Sequence, residues 1–569
     1  MAKVYGIDLG TTYSVIATLD DNGIPEVIPN LNDSSDLLAS AVYFPENGEP
    51  VVGESAKNQK DIYPDRVVEF VKRYIGKEGE HKYNFDGVEY DPITISALIL
   101  KRLKAYADEQ GHDVEKVVIT CPAYFGNEEK SATKQAGIIA GLDVLNIVHE
   151  PTAAAMNYCV REFKENRKIM VYDLGGGTFD ITLFDFSVDD NGNASIDVLK
   201  TGGNDRLGGI DWDARMEEYM CDKYSEESGI DVSSMDSELR SIIRAQVEQA
   251  KKDLSVLGNK SYTIKYDGDR IRIELTREEF ENRTEDLVQQ TMDFVHKLLS
   301  DVEMAPDDVD VVLLVGGSTF MPMIKNAVED LFPGKVRLEQ PNLAVAKGAA
   351  LSAAINWNEH MNDIKKKVES GEEISDEEKE EIGLNDGEEF NSSKIDQLII
   401  NVPQQVSSVS DKLTRSLGPG ILVNGEDYFI DNLIFVGDEI PAEAVNRYCT
   451  PEANMPKIVV RVFENTSEDR ENTLVKPCLD RAGNPQYTDP ELKVKCIGEV
   501  DLELPPDSPK GMPIDVLFRS STVGLEVTAT NVTTGQSAKT VIKSDALYSE
   551  EQINDAKALF CDINTSGEI

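Results

Sequence analysis

Positive charge, histidine, clustered cysteine and long apolar runs are all scarce in this sequence, and each shortage closes a class of function. Across 569 residues, 57 Lys and Arg stand against 104 Asp and Glu, a formal charge of −47. A field of that sign repels phosphate backbones and anionic lipid, and no basic patch offsets it, so neither nucleic acid nor membrane is expected as a partner. The seven cysteines, Cys121, Cys159, Cys221, Cys449, Cys478, Cys496 and Cys561, are scattered, odd in number and never at metal-ligand spacing. That pattern implies no disulfide framework and no zinc site. Of the five histidines only His149 adjoins a motif, and a lone histidine is more often structural than catalytic. No apolar run reaches the roughly 18 to 20 residues a bilayer requires, and Met1 to Gly10 enters a strand pattern with no targeting region. The expectation is a soluble, cytoplasmic protein. With 40% hydrophobic and 28% charged residues it is not a disordered chain.

What is present changes character along the chain. From Val4 to about Ala354, β-branched apolar runs alternate with amphipathic helices, which predicts a mixed α/β architecture over 1–357. Between Trp357 and Lys394 thirteen acidic residues accompany five lysines, so 358–401 reads as an acidic insertion, a solvated linker or exposed helix, that runs into the interdomain linker. From 402 to 545 short alternating runs separated by turn residues predict an antiparallel β-sandwich. In 546–569 the segment Ser549 to Phe560 reads as a short helix capped by Ser549.

The most informative feature is a repeat. Val4-Tyr5-Gly6-Ile7-Asp8-Leu9-Gly10-Thr11-Thr12 returns as Met170-Val171-Tyr172-Asp173-Leu174-Gly175-Gly176-Gly177-Thr178. In each copy an apolar strand ends in Asp and runs into a Gly and Thr turn. Glycines let backbone amides approach phosphate oxygens, and the threonine hydroxyls add donors. Magnesium keeps several waters, so Asp8 and Asp173 are expected to hold the ion mostly through them. A third turn, Val315-Gly316-Gly317-Ser318-Thr319, follows a buried strand and opens a helix, a geometry suited to nucleoside or phosphate. Across from it the helix Ser237 to Leu257 carries an apolar stripe through Leu239, Ile243, Val247, Ala250, Leu254 and Leu257. A second stripe, Glu248, Lys251, Lys252 and Ser255, lies about 100° away, where it faces either solvent or a cleft.

These motifs resemble one family, the seventy-kilodalton heat-shock chaperones of the DnaK type. The resemblance runs through Gly6 to Thr12, Val71-Lys72-Arg73-Tyr74-Ile75-Gly76, Cys121-Pro122-Ala123-Tyr124-Phe125 and Glu150-Pro151-Thr152-Ala153-Ala154-Ala155. It continues through Tyr172 to Asp180, Leu207 to Asp211 and Val315 to Thr319. It implies a two-lobed actin-like ATPase domain, a duplicated ribonuclease-H-like fold, followed by an all-β sandwich and a short helix. It implies ATP and ADP as ligands, with Mg2+ and K+ around Asp8, Asp173 and Asp180. Lys72 and Glu150 would position the attacking water, with Thr178 beside them. Gly10, Thr11, Thr12, Tyr13, Gly175, Gly176 and Gly177 would cradle phosphates. Gly202, Gly203, Gly316, Gly317, Ser318 and Asn342 would contact phosphate and ribose, and Glu248, Lys251, Lys252, Ser255 and Phe320 the adenosine. Ile458 aligns with the central pocket for an extended hydrophobic peptide. A J-domain protein and a nucleotide-exchange factor are the partners implied.

Several positions depart from the family pattern. Lys252 and Phe320 stand where guanidinium planes usually flank adenine. Ile138 replaces the arginine that senses the switch proline, here Pro122. Asn146 replaces the arginine that docks the J-domain, and the linker is read as Asp396-Gln397-Leu398-Ile399-Ile400-Asn401-Val402, with its second carboxylate lost. Three charge deletions on one route argue for weak coupling between ATP and peptide. The chain ends at Ile569, where the family usually continues into a helical lid, so rapid peptide exchange is expected. The two phosphate turns by themselves leave open a nucleotide-gated scaffold or filament of the actin class, and a small-molecule kinase on the same fold.

Overall fold

The computed structural model describes residues 3–561 apart from 61, 78–80, 163–164, 191–192, 385–394, 403–405, 424–426, 477, 480–484, 487–491, 493, 522–523 and 542–546. Two sheets with the same winding make the N-terminal lobes. In the first, Val4–Asp8 pairs antiparallel with Tyr13–Leu19, which pairs with Pro25–Val27. On its other side Val4–Asp8 runs parallel to Lys116–Cys121, and that strand to Asp143–His149. In the second, Arg167–Leu174 pairs antiparallel with Phe179–Val188 and then Ala194–Asn204, and parallel with Val311–Val315 and then Val336–Arg337. The central strands of both sheets are buried on both faces, as continuous apolar runs such as Ile169 to Tyr172 require. The repeat read in the sequence is thus a repeat of fold, the duplicated actin-like core.

Two helices, Glu150–Glu162 and Ala344–Ser370, cross between the lobes. They meet with no side chain between them, since a Cβ on Gly348 would run into the Ala153 carbonyl. Their small faces, Ala153, Ala154, Ala349 and Ala353, share a buried cluster with Val171, Phe184 and Leu313.

After the crossing the chain makes an excursion through the stretch expected to be a solvated linker or exposed helix. Helix Ala344–Ser370 continues, a short helix Asp376–Glu381 folds back, and Trp357, Met361, Ile364, Ile382 and Ile395 are buried together. Acidic residues occupy the outer face; Glu381 turns inward to Lys116 (2.8 Å) and His360 (2.6 Å). The stretch read as linker, Asp396 to Val402, also packs on the lobes. Trp357 Nε1 donates to the Leu398 carbonyl at 2.9 Å, and the Asn358 side chain brackets Ile400. The strand Val406–Lys412 then adds parallel to the edge of Ala194–Asn204, inside the boundary expected for the sandwich. Its polar sequence hid it, because an added edge strand is held by ladder hydrogen bonds more than by apolar burial.

The sandwich follows. One sheet orders Leu474–Val475, Asp427–Asp431, Ser416–Val423, Lys457–Asn465 and Lys495–Glu503. The other orders Ala442–Cys449, Pro513–Ser521, Gly524–Asn531 and Ser537–Val541. Ile458 is half-buried against this core. The helix Glu550–Cys561 leaves the sandwich and lies on the first lobe, burying Ala556 and Phe560, while Gln135 and the Tyr548 backbone exchange two hydrogen bonds of 2.9 Å.

The sandwich is docked on the lobes through buried charge. Lys495 pairs with Glu128, and His149 Nδ1 meets Asp411 Oδ1 at 2.8 Å. Glu464 is enclosed near Glu129 and Gly126, with Arg415 and Lys130 nearby. Burial, then repulsion from Glu129, pushes Glu464 up to about 7. Burial lowers His149, and Asp411 offsets part of that. The signs oppose. Docking binds a proton at Glu464 between about pH 4.5 and 7, whereas the lowered His149 releases one below about 6.5, so the two oppose each other below that pH. Glu464→Gln is therefore expected to dock more tightly above pH 7 and to loosen more than the parent does as pH falls below 6.5. Energy transfer between dyes on lobe and sandwich, followed from pH 5 to 8, measures this; a variant tracking the parent at every pH would refute it.

Candidate active site

A cleft of about 840 Å3 opens between the lobes, and the two repeated turns form its floor. Each turn is braced by its neighbours. Gly10 N–H donates to Ser14 Oγ (3.2 Å), and Ser40 Oγ donates to the Gly10 carbonyl (2.9 Å). The Gly175 carbonyl accepts from Ser318 Oγ (2.8 Å) and from Gly209 N–H (3.0 Å), which ties it to the third glycine turn and to helix Gly209–Ser228. Gly316 takes φ of +83°, and a Cβ there would meet the Leu174 carbonyl, so this turn requires glycine. Gly176 faces Thr12 so closely that the two turns interdigitate across the lobes.

At the base, Lys72 is ion-paired with Glu150, and the residues are 5% and 8% exposed. Lys72 sits on a short 3-10 turn, Val71–Tyr74, launched by Phe70 at φ of +59°, a left-handed position that costs a bulky residue strain. Arg73, next in the turn, clasps the Gly177 carbonyl of the other lobe at 2.6 Å. Around the pair lie three carboxylates. Asp8 accepts from Thr120 Oγ1 at 3.0 Å and is pushed up to about 7 by burial and the neighbouring Glu150. Asp173 and Asp180 are raised well above the ordinary range by burial and by Glu150. Asp180 is 1% exposed, and neither of its oxygens has a well-formed hydrogen bond, with only the Ala123 amide directed at it. Buried acids left in this state fit a hard divalent cation. Among the described residues, no group of three or more His, Cys, Asp or Glu is arranged to ligate an ion directly.

The opposite wall comes from helix Ser237–Val256. Its apolar stripe is buried from Leu239 to Leu254, while Leu257, expected to continue it, is exposed beyond the helix end. Glu248, Lys251, Lys252 and Ser255 line the cleft, so the second stripe faces a site and not bulk solvent. Gly10, Thr11, Thr12, Tyr13, Asp8, Lys72, Glu150, Asp173, Gly175, Gly176, Thr178, Gly316, Gly317, Ser318, Phe320 and Asn342 line it too. Gly177, Gly202, Gly203 and Asp180 stand outside the lining. Gly203 is paired with Asp180 and Gly202 with Ile181, so the glycine strand lies behind the carboxylate. Pro122 is buried at the end of strand Lys116–Cys121, Ile138 packs into the first-lobe core, and Asn146 Nδ2 donates to Asn356 Oδ1 at 3.0 Å.

Two side chains went unread in the sequence. Lys57 crosses the cleft mouth to Glu248 at 2.5 Å and lies over the Tyr13 ring, and Asp213 anchors Lys251 at 2.7 Å. Lys57 belongs to helix Glu54–Asn58, too short to show a period.

A family model described as Hsp70 protein matches residues 4–367. The chain belongs to the Hsp70 family. Its curated Hsp70 relatives include the chaperone protein DnaK of Thermotoga neapolitana, 41% identical over 362 residues, and that of Thermosipho melanesiensis, 41% identical over 361. In both cases the match takes in 62% of this chain and 59% of the relative, so the chain spans about three fifths of the length of these relatives. No helix among the described residues is long and apolar enough to cross a membrane.

The Lys57–Glu248 bridge joins one lobe to the other over the cleft and is partly exposed, which limits it to about 0.5 to 1 kcal/mol. Lys57→Ala should therefore release a bound fluorescent ADP analogue about two- to fivefold faster, measured by stopped-flow displacement; an unchanged rate would show that the bridge does not restrain the mouth.

Proposed function

We propose that this chain is an ATP-hydrolysing chaperone that binds extended hydrophobic peptide in its sandwich, with peptide affinity set in part by nucleotide. The observation that carries the proposal is the buried Lys72–Glu150 pair at the floor of a cleft closed by two phosphate turns. Phosphoryl transfer to water needs positioned charge and little covalent help, and this arrangement supplies it. The turn amides and Thr11, Thr12 and Thr178 hold the phosphate oxygens. Glu150 orients a water whose proton it can accept, and Lys72 balances charge as it develops. Phe320, Lys252 and Ser255 bracket the base. Asp8, Asp173 and Asp180 would hold Mg2+, largely through water, with K+ alongside; the cation would neutralise the phosphates. A kinase would need a carboxylate beside an acceptor pocket, and Lys72 with Glu150 suits water better.

Lys72→Ala should keep nucleotide, since most contacts come from the turns and the adenosine wall, yet lose about 10² to 10³ in hydrolysis, the scale for one preorganised charge. Single-turnover rates test this, and a loss below about threefold would sink the assignment.

J-domain proteins and exchange factors are proposed partners, with J-domain stimulation weak. Asn146 offers no cation, and its amide is already engaged by Asn356 of the crossing helix. Ile138 is occupied in the lobe core and makes no ionic contact toward Pro122. ATP should therefore shift peptide affinity by about fivefold, the low end of ordinary allosteric coupling. Equilibrium titration of a labelled hydrophobic peptide in ATP and ADP measures the shift, and a factor near a hundred would overturn the weak-coupling reading.

A further inference from the structure

A second cavity, of about 600 Å3, lies on the far side of the segment that closes the nucleotide cleft. The two cavities share a wall. Val315 borders both, and within 340–347 the residues alternate, with Pro341, Asn342 and Val345 facing the nucleotide cleft and Gln340, Ala344 and Lys347 facing the second cavity. The opposite side is first-lobe: Ile24 and Pro25, from the turn after Tyr13–Leu19. Anything bound there touches both lobes.

The chemistry of the cavity is specific. Asn157, on helix Glu150–Glu162, lines it, is 8% exposed, and its buried Oδ1 has no hydrogen-bond partner. An amide oxygen left unsatisfied in this way is destabilising, and a ligand that donates a hydrogen bond to it would recover that cost. Toward the rim stand two cations, in a chain whose net charge is −47. Lys347 reaches Gln340 Oε1 at 2.6 Å, and Arg337 rests on the Gly334 and Val336 carbonyls at 3.1 and 2.9 Å. One acid, Glu339, faces them. Ala344 starts the 27-residue helix Ala344–Ser370, whose N terminus has no side-chain cap, so its partial positive charge adds to that of the lysine. Pro25, Leu313 and Ala154 supply apolar wall.

We propose that this cavity is a second small-molecule site, taking an organic acid. Its anionic group lies at the uncapped helix start between Lys347 and Arg337, its apolar body runs along Pro25 and Leu313, and a hydroxyl or other donor meets Asn157 Oδ1. An occupant would bridge the first-lobe turn to the second-lobe strand and support the segment bearing Asn342, and so slow nucleotide release.

Binding can be read apart from hydrolysis. With the nucleotide cleft saturated by a non-hydrolysable ATP analogue, phenyl phosphate, benzoate and inorganic phosphate are each titrated at up to about 10 mM, a range suited to weak ligands, and saturation-transfer NMR follows the complex. Phenyl phosphate and benzoate should bind; Lys347→Glu should weaken both by about tenfold or more, and Asn157→Leu should abolish binding by filling the floor. Bound phenyl phosphate should also slow release of a fluorescent ADP analogue at least threefold in the parent and not in Lys347→Glu. Asn157→Ala, which opens space without filling it, guards against misfolding of the leucine variant: it should bind benzoate about as the parent does but lose the tighter binding that 4-hydroxybenzoate, whose hydroxyl can donate to Asn157 Oδ1, shows in the parent, and 4-hydroxybenzoate binding equally tightly to both proteins would overturn the proposal. Absence of binding by both organic probes, equal binding in Lys347→Glu, or inorganic phosphate binding as tightly as phenyl phosphate would each overturn the proposal.

Discussion

The crossing of helices Glu150–Glu162 and Ala344–Ser370, with Gly348 seated on the Ala153 backbone, fixes how close the two lobes come. Other features of the cleft inherit that spacing. Gly176 can interdigitate with Thr12, Arg73 can reach the Gly177 carbonyl, and Lys57 can meet Glu248 because the two lobes are held at a set distance. A side chain at the crossing would wedge the lobes apart, and close-packed interiors have little room to absorb such a change. The same helix that makes the crossing begins between the two cavities and ends in the acidic excursion, so one rigid rod passes through three parts of the molecule.

Charge in this chain is sorted by depth. The surplus of acid lies mostly outside, where water solvates it, while a few carboxylates are carried into the cleft and the domain interface. Those few include carboxylates that burial pushes upward: Asp8 and Asp173 in the cleft with Asp180 behind it, and Glu129 and Glu464 between lobe and sandwich. Buried carboxylates are costly unless a cation or a proton accompanies them. In the cleft Lys72 is the companion on hand, and in the interface Arg415, Lys130 and Lys495 are. Groups this costly are kept where their neutralisation can be coupled to an event, nucleotide binding in one place and docking in the other.

How the sandwich attaches departs most from what its residues suggest. Leu398, Ile399 and Ile400 look like the apolar centre of a linker, yet they pack on the N-terminal lobes beside Trp357. The polar strand Val406–Lys412 makes the connection by joining the lobe sheet and delivering Asp411 to His149 and Thr152. Backbone pairing of this kind leaves little trace in composition, because its hydrogen bonds are indifferent to side chains.

Local chemistry was legible in the sequence. Asp8 and Asp173 at strand ends, the Gly and Thr turns that follow them, the buried strand before Gly316, and the two stripes of Ser237–Val256 all declare themselves over a few residues, since turn chemistry and helical period are short-range properties. The duplicated α/β core and the sandwich followed from the same alternation. The tertiary structure decided what depends on distant partners: whether the Glu248 stripe faces solvent or a cleft, that Gly202 and Gly203 stand behind Asp180, that Lys57 spans the mouth, and that His149 finds Asp411 some 260 residues away in the chain. No period or motif encodes such pairs, because they come together only when the lobes close on the crossing helices and the edge strand docks.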